Sequence, residues 1–270
     1  MSAGHRLVAT ARDPAQLEDL VAHDADRVRA VALDVRDPVA ADAAVRTALD
    51  AFGRLDVLVN NAGYADLAAV EDGSLEAFRA QLETNLMGVV IVTKAALPVL
   101  RAQGAGRIIQ ISSVGGRMAS PGLSAYQAAK WAVGGFSEVL AAEVGPLGVK
   151  VTIVEPGGMR TDWAGASMSV LPVSAPYEPT VGARVRQLGD FDQTAEGDPA
   201  KVARAVLTVA ALEEPPLRLL LGSDAYAYGR EAWRARLAED ERWEGLSRST
   251  DRDDATPEQR DPLGRQAGAR

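Results

Sequence analysis

Leu55-Asp56-Val57-Leu58-Val59-Asn60, followed by Asn61-Ala62-Gly63, decides the architecture of this 270-residue chain. The run is short and apolar enough for burial on both faces, the pattern of a strand inside a parallel sheet. The small residues after it allow close approach to the backbone at the strand's carboxyl end. Outward from it, segments 6–11, 28–33, 107–111, 149–154 and 217–221 read as further strands. Helical segments stand between them. Asp13-Pro14 opens the first, a cap followed by proline. Segment 39–52 has helical periodicity and stops at Gly53. Helices over 75–103, 124–144 and 199–212 follow. This alternation predicts an α/β fold: a doubly wound, mostly parallel sheet with helices on both faces, in three layers.

In such sheets ligands bind outside the carboxyl ends of the strands. Arg12, Asp34, Asn61-Ala62-Gly63, Ser112-Ser113 and Pro156-Gly157 all follow strand ends, so one crevice accounts for them together. Tyr126 and Lys130 stand four apart in the helix over 124–144, hence on one face. A free tyrosine titrates near about 10, too high for proton exchange at neutrality. A neighbouring ammonium favours the phenolate. Lowering the value by roughly 3 units takes about 4 kcal/mol of differential interaction. Such a pair suits acid–base chemistry at an alcohol or ketone. Ser113 lies thirteen positions before the tyrosine. Ser112 is its rival, but adjacent strand residues point to opposite faces, so only one meets the tyrosine.

The formal net charge is −8, and no basic stripe with interleaved aromatics favours nucleic acid. Without cysteine, disulfides, thiolate chemistry and cysteine metal sites are excluded. His5 and His23 read as surface residues, which argues against a histidine metal site or a Ser-His-Asp triad. The N-terminus lacks an apolar signal core, and no window reads as a membrane span of about 18 apolar residues. A cytoplasmic protein with no membrane partner is expected. Between 158 and 198 the periodic pattern dissolves into a segment holding Trp163, Met168, Leu171 and Tyr177, expected to be a substrate-covering lid. From 239 the chain is charged and reads as a partly disordered tail. The expected organisation is therefore a single domain over 1–238, lid included, with a tail over 239–270.

Over about residues 5–225 the chain resembles a classical short-chain dehydrogenase/reductase. The resemblance rests on Asn60-Asn61-Ala62-Gly63, Asn85, Ser113, Tyr126-x-x-x-Lys130 and Pro156-Gly157-x-x-x-Thr161 in this order. It implies a Rossmann-like fold and NAD(P)-dependent hydride transfer between a carbinol carbon and a carbonyl. In that reading Tyr126 is the general acid–base. Lys130 lowers the tyrosine's pKa and bonds the nicotinamide ribose, and Ser113 rather than Ser112 positions the substrate oxygen. Asn85 holds a water in a proton relay to the lysine; a kink or core hydrogen bond is its structural alternative. Asp34 and Val35 match positions that meet the adenine, although Asp34 also suits a turn cap. Asn61, Ala62 and Gly63 admit the adenosine ribose, while Pro156, Gly157 and Thr161 border the nicotinamide. NAD binders place a carboxylate after the second strand of their fold, to hold the ribose 2′-hydroxyl. Arg12 stands there instead, which favours NADP by neutralising a 2′-phosphate. Its alternative is a surface pair with Asp13 or Asp34. The expected substrate is a moderately apolar alcohol or ketone. The family's dimers or tetramers form through the helices holding Asn85 and Tyr126; Trp131, Phe136 and Leu140 suit that role or burial against the sheet.

A dinucleotide fold also needs a first strand, a glycine-rich turn and a helix whose N-terminus meets the pyrophosphate. The chain shows none of them: Gly104-Ala105-Gly106 follows a helix and precedes a strand, the reverse order. In the family's strand order, 3-2-1-4-5-6-7, the missing strand is central. Its loss opens a gap of one strand spacing, about 4.8 Å. Either the flanking strands pair directly or backbone groups stay unpaired, at roughly 1–3 kcal/mol for each one buried. Three readings follow. The first is an NAD(P)-dependent oxidoreductase. The second is a truncated, catalytically impaired relative acting as a binding or partner protein. The third, an extended sugar-nucleotide epimerase or dehydratase, needs a larger C-terminal domain than follows the last strand.

Overall fold

In the computed structural model, which describes residues 4–161, 168–188 and 195–264, the strands form two parallel sheets and a small accessory ladder. Strands β1 (Leu7–Ala11) and β2 (Val28–Ala32) make the first. The second has the order β3-β5-β6-β8, from Val57–Asn60, Gly106–Ile111, Val149–Pro156 and Arg218–Leu221. The accessory ladder pairs β4 (Ala65–Leu67) with β7 (Met168–Val170).

The helices are α1 (Glu18–His23), α2 (Pro38–Phe52), α3 (Leu75–Leu82), α4 (Gly88–Gln103), α5 (Ser124–Val144), α6 (Ala183–Leu188), α7 (Pro199–Ala211) and α8 (Ser223–Arg242). Short helices α9 (Glu244–Arg248) and α10 (Pro257–Arg260) end the described chain. Local chemistry sets their ends. Asp37 accepts from the amide of Val39 at 2.8 Å to start α2, and Gly53, in the left-handed region, stops it. Asp198 caps α7 in the same way, ahead of Pro199.

One core layer lies between β5, β6 and the helices α4 and α5, where Ala96, Leu100, Ile108, Leu140 and Val149 are buried together. Phe136 packs against it; Trp131 is half-exposed under the Arg236 guanidinium, 4.4 Å from its ring centre. The rod from Leu75 to Gln103 is long and apolar enough to span a membrane by length and composition, which the reading of the isolated sequence did not anticipate. It serves here as a core helix, its Ala96 and Leu100 fully buried. Where β3 enters this layer, buried Asn60 donates to Thr93 at 3.0 Å and to Gln110 at 2.8 Å, tying β3 to α4 and β5.

Among the described residues the two sheets do not join. Between β1 and β3 lies a cavity of about 720 Å³, lined by both strand edges and by α2, α4 and α7. Of the two outcomes expected for an absent central strand, direct pairing does not occur, and Val57 and Val59 remain 36% and 43% exposed. Elsewhere the expected tail boundary at 239 falls inside α8, which runs unbroken to Arg242. Trp163 lies outside the described residues.

Candidate active site

Tyr126 and Lys130 lie one turn apart on α5, both buried, at 7% and 5% exposure. The Lys130 ammonium donates to the Ile111 carbonyl at 2.8 Å, which anchors it at the carboxyl end of β5. It stands 5.6 Å from the tyrosine ring centre. Burial, which disfavours charge, pushes the Tyr126 phenol up to about 12 and the Lys130 ammonium down to about 8. A hydrogen bond with Ser113 pulls the phenol the other way, more weakly. The spacing-based expectation that Lys130 lowers the tyrosine's pKa is therefore not met in this state. The ammonium is directed to a backbone carbonyl, and desolvation dominates.

The two serines separate as strand geometry requires. Ser112 is buried and donates to the Lys130 carbonyl at 3.3 Å, bracing strand against helix. Ser113 accepts from the Gly115 amide at 3.0 Å at the head of a tight turn, and its hydroxyl reaches Tyr126. Gly116 allows the Ser112–Lys130 contact: a Cβ there would lie 3.0 Å from both the Lys130 carbonyl and the Ser112 hydroxyl.

Asn85 is fully buried in a wide helical turn, Glu83–Met87, that interrupts the helix predicted over 75–103. Such a turn carries one extra residue and is frequent at functional sites. Its amide donates to the Tyr64 carbonyl at 2.9 Å and accepts from the Tyr64 amide at 3.0 Å. This is the core hydrogen bond set out as the structural alternative for Asn85. It ties the helix to the loop after β3. A Cβ at Gly63 in that loop would lie 2.6 Å from Asn85 Oδ1 and 3.6 Å from Lys130 Nζ. Gly63, Asn85 and Lys130 therefore meet at one point.

Asn61 and Ala62 are exposed and line the cavity between β1 and β3. Asp34 follows β2 and is held by Arg36, whose Nε donates at 3.0 Å and terminal nitrogen at 2.6 Å. That guanidinium lowers the carboxyl to about 2. Val35 is wedged against Gly88, where a Cβ would meet its side chain at 2.5 Å. Asp13 caps the turn after it, accepting from Ala15 at 3.0 Å. Arg12 is exposed and forms an ion pair with neither Asp13 nor Asp34 among the described residues. At the end of β6 the Pro156-Gly157 turn is clamped by Asp224, whose carboxylate accepts from the Gly158 amide at 2.7 Å. Thr161 sits just beyond, its amide donating to Met159 at 3.0 Å.

Sequence reasoning missed Asp224 and Arg36. Asp224 does carry a signal, an acid in the first turn of a helix that follows a strand and a glycine. The residues over 168–188 roof the site. Val181 and Leu188 are buried in one cluster with Leu67, Leu123 and Tyr126, and Tyr177 packs against it. The parallel ladder Ala65↔Met168 to Leu67↔Val170 holds this roof down.

A Cβ at Gly63 would meet Asn85 and approach Lys130, and one at Gly157 would meet the Asp224 carboxylate, so neither loop admits a side chain. No glycine-rich turn at a helix N-terminus flanks β1 or β3 among the described residues, so they show no cradle for a pyrophosphate.

Residues 1–169 match the family described as short chain dehydrogenase. The chain is 54% identical over 245 residues to oxidoreductase BOA17 of Botryotinia fuckeliana, covering 90% of this chain and 89% of that protein. A short-chain dehydrogenase from Streptomyces avermitilis superposes with a TM-score of 0.86 at 40% identity, covering 93% and 92% of the two chains. An alcohol dehydrogenase from Thermococcus sibiricus complexed with 5-hydroxy-NADP superposes with a TM-score of 0.66 at 25% identity, covering 81% and 86%.

Proposed function

This chain belongs to the short-chain dehydrogenase family, oxidoreductases that work with a nicotinamide dinucleotide, and from that premise we propose that it interconverts a secondary alcohol and a ketone. The observation that carries the reading is the Ser113–Tyr126 hydrogen bond beside buried Lys130, beneath an apolar roof. Tyr126 donates its phenolic proton to the developing alkoxide in reduction and takes it back in oxidation. Ser113 holds the substrate oxygen against the phenol. Lys130 stands one turn from the phenol, and when the phenolate forms, its ammonium turns from the Ile111 carbonyl it faces in this state to stabilise the new charge. Asn85 fixes the Gly63 loop at the lysine and so sets the shape of the pocket there. The nicotinamide, when bound, supplies or accepts the hydride.

Arg12 favours NADP over NAD: among the described residues it forms no salt bridge, sensing Asp34 only through its charge, and its guanidinium suits a 2′-phosphate. Asp34 and Val35 border the adenine. Asn61, Ala62 and Gly63 border the adenosine ribose, and Pro156, Gly157 and Thr161 the nicotinamide. The roof residues Val181, Leu188 and Tyr177 favour a moderately apolar substrate.

The test is turnover of a panel of apolar ketones with NADPH. Tyr126→Phe is expected to lose about 10²–10⁴-fold in kcat, the range for removed acid–base help. Ser113→Ala falls with it, whereas Ser112→Ala retains activity and loses stability alone. Equal loss at both serines overturns the assignment.

One observation favours a second reading, a cofactor-poor binding or partner protein: the open cavity between β1 and β3 on the side where a pyrophosphate belongs. NADPH titration separates the two. Binding near 1 μM, about −8 kcal/mol, sinks the second reading, and absence of saturable binding sinks the first.

A further inference from the structure

Ser113 heads a tight turn, Val114–Gly116, that Arg117 closes. The Ser113 hydroxyl accepts from the Gly115 amide at 3.0 Å, and the Ser113 carbonyl accepts from Gly116 at 2.9 Å. The Arg117 amide donates to Val114 at 2.8 Å. These bonds fix the shape of the turn but not its place in the molecule. Where the hydroxyl stands relative to Tyr126 depends on what grips the turn from outside.

Two groups grip it, both through Arg117. Glu155 at the end of β6 accepts from the guanidinium, whose Nε donates at 2.8 Å. That hold is on the far end of a long side chain, several rotatable bonds from the backbone. The second hold is on the backbone itself: Arg236, on α8, donates to the Arg117 carbonyl at 2.7 Å. Two indole rings set its guanidinium in place. It lies 4.4 Å from the ring centre of Trp131 and 5.8 Å from that of Trp233. Trp131 follows Lys130 on α5, so one side chain touches both the backbone behind Ser113 and the neighbour of Lys130. A Cβ at Gly229 would press on Leu220 at 2.9 Å, so α8 lies directly against β8 and brings Arg236 within reach.

We propose that Arg236 is a positioning residue: from α8 it fixes the Arg117 carbonyl and Trp131 together, and so holds the Ser113 hydroxyl against Tyr126. The proposal rests on the reading of Ser113 and Tyr126 as the pair that meets the substrate oxygen. It deepens that reading by making α8 part of what sets their geometry. Arg236 acts through the turn and α5 alone. A misplaced catalytic group lowers the rate steeply, by about 100-fold for 1 Å. The apolar roof that receives the substrate is not touched by this hold.

The test is Arg236→Met, which keeps the reach of the side chain and removes the donor and the charge. Arg236 is only partly buried and belongs to none of the apolar core clusters, so the variant folds. Amide exchange, measured without cofactor or substrate, is expected to quicken at least tenfold at Gly115, whose N–H is bonded to the Ser113 hydroxyl. Ketone reduction with NADPH is expected to lose about tenfold or more in kcat, with KM within about twofold. Arg236→Lys restores a donor without the flat stacking, and recovers at least about threefold of each. Arg230→Met is the control on the same helix: that guanidinium reaches Tyr226, and both readouts stay at wild-type values. Unchanged exchange at Gly115 overturns the proposal. So does a wild-type kcat in Arg236→Met, or a loss carried by KM alone. If the wild-type protein reduces no ketone, the proposed reaction fails, and exchange at Gly115 still decides the role of Arg236.

Discussion

Gly63 and Asn85 are in contact so close that no side chain fits between them: a Cβ on Gly63 would stand 2.6 Å from the asparagine's Oδ1. The expected outcome of Gly63→Ala is a loss of about 1–3 kcal/mol, the range for overpacking a filled site. The Asn85–Tyr64 bonds are what must give. Urea unfolding of Gly63→Ala alone and combined with Asn85→Ala checks this. The double variant should be less destabilised than the sum of the singles.

Stability should depend on alkaline pH in two opposed windows. Lys130 titrates near 8 when folded and near 10.5 when unfolded, so the unfolded chain binds more protons between these values. Stability therefore rises across that window, by roughly 3 kcal/mol. Tyr126 titrates near 12 when folded and near 10 when unfolded, so its contribution is lost as pH rises from 10 to 12. Thermal melts of Lys130→Met, which lacks the first window, check the assignment. A rise between pH 8 and 10 that survives in the variant refutes it.

Glu155, fully buried at the end of β6, accepts from Arg117 at 2.5 Å and from Arg218 at 2.6 Å. Glu155→Gln leaves the largely buried Arg117 guanidinium short of a countercharge, while Arg218 keeps Glu138 at 2.6 Å, and a loss of about 3 kcal/mol is expected. The exposed Lys150–Glu214 pair is the control. Glu214→Gln should change stability by less than about 1 kcal/mol. Chemical denaturation of both variants compares them directly.

Arg12→Ser should weaken NADPH by about tenfold, or 1.4 kcal/mol, and leave NADH unchanged. Isothermal titration with both cofactors measures the ratio. Equal weakening of both means that Arg12 does not select the 2′-phosphate.

The parallel sheet and its helices were legible because their signals are local. The helix over 124–144 lies where its apolar spacing places it, and the Asp-Pro start of the first helical segment is visible in the residues themselves. The accessory ladder of β4 and β7 was not legible, since three-residue strands joined across the chain carry no alternation worth reading. Asn85 was singled out, but not its wide turn, because periodicity cannot distinguish one extra residue in a helix. The Asp224 clamp joins residues 66 positions apart, a contact that only the folded chain brings together. The opposite ranking of charge and burial at Tyr126 was equally hidden. Spacing places an ammonium one turn away but does not say which oxygen it faces.

Val181 and Leu188 are buried in one apolar cluster with Tyr126, so parting them from it uncovers apolar surface. Wetting such surface raises the heat capacity. Opening of the roof therefore has an enthalpy that changes with temperature, and an Arrhenius plot of any turnover gated by it will bend while the fold remains intact. Cooling weakens apolar contacts, so this packing over Tyr126 loosens toward low temperature.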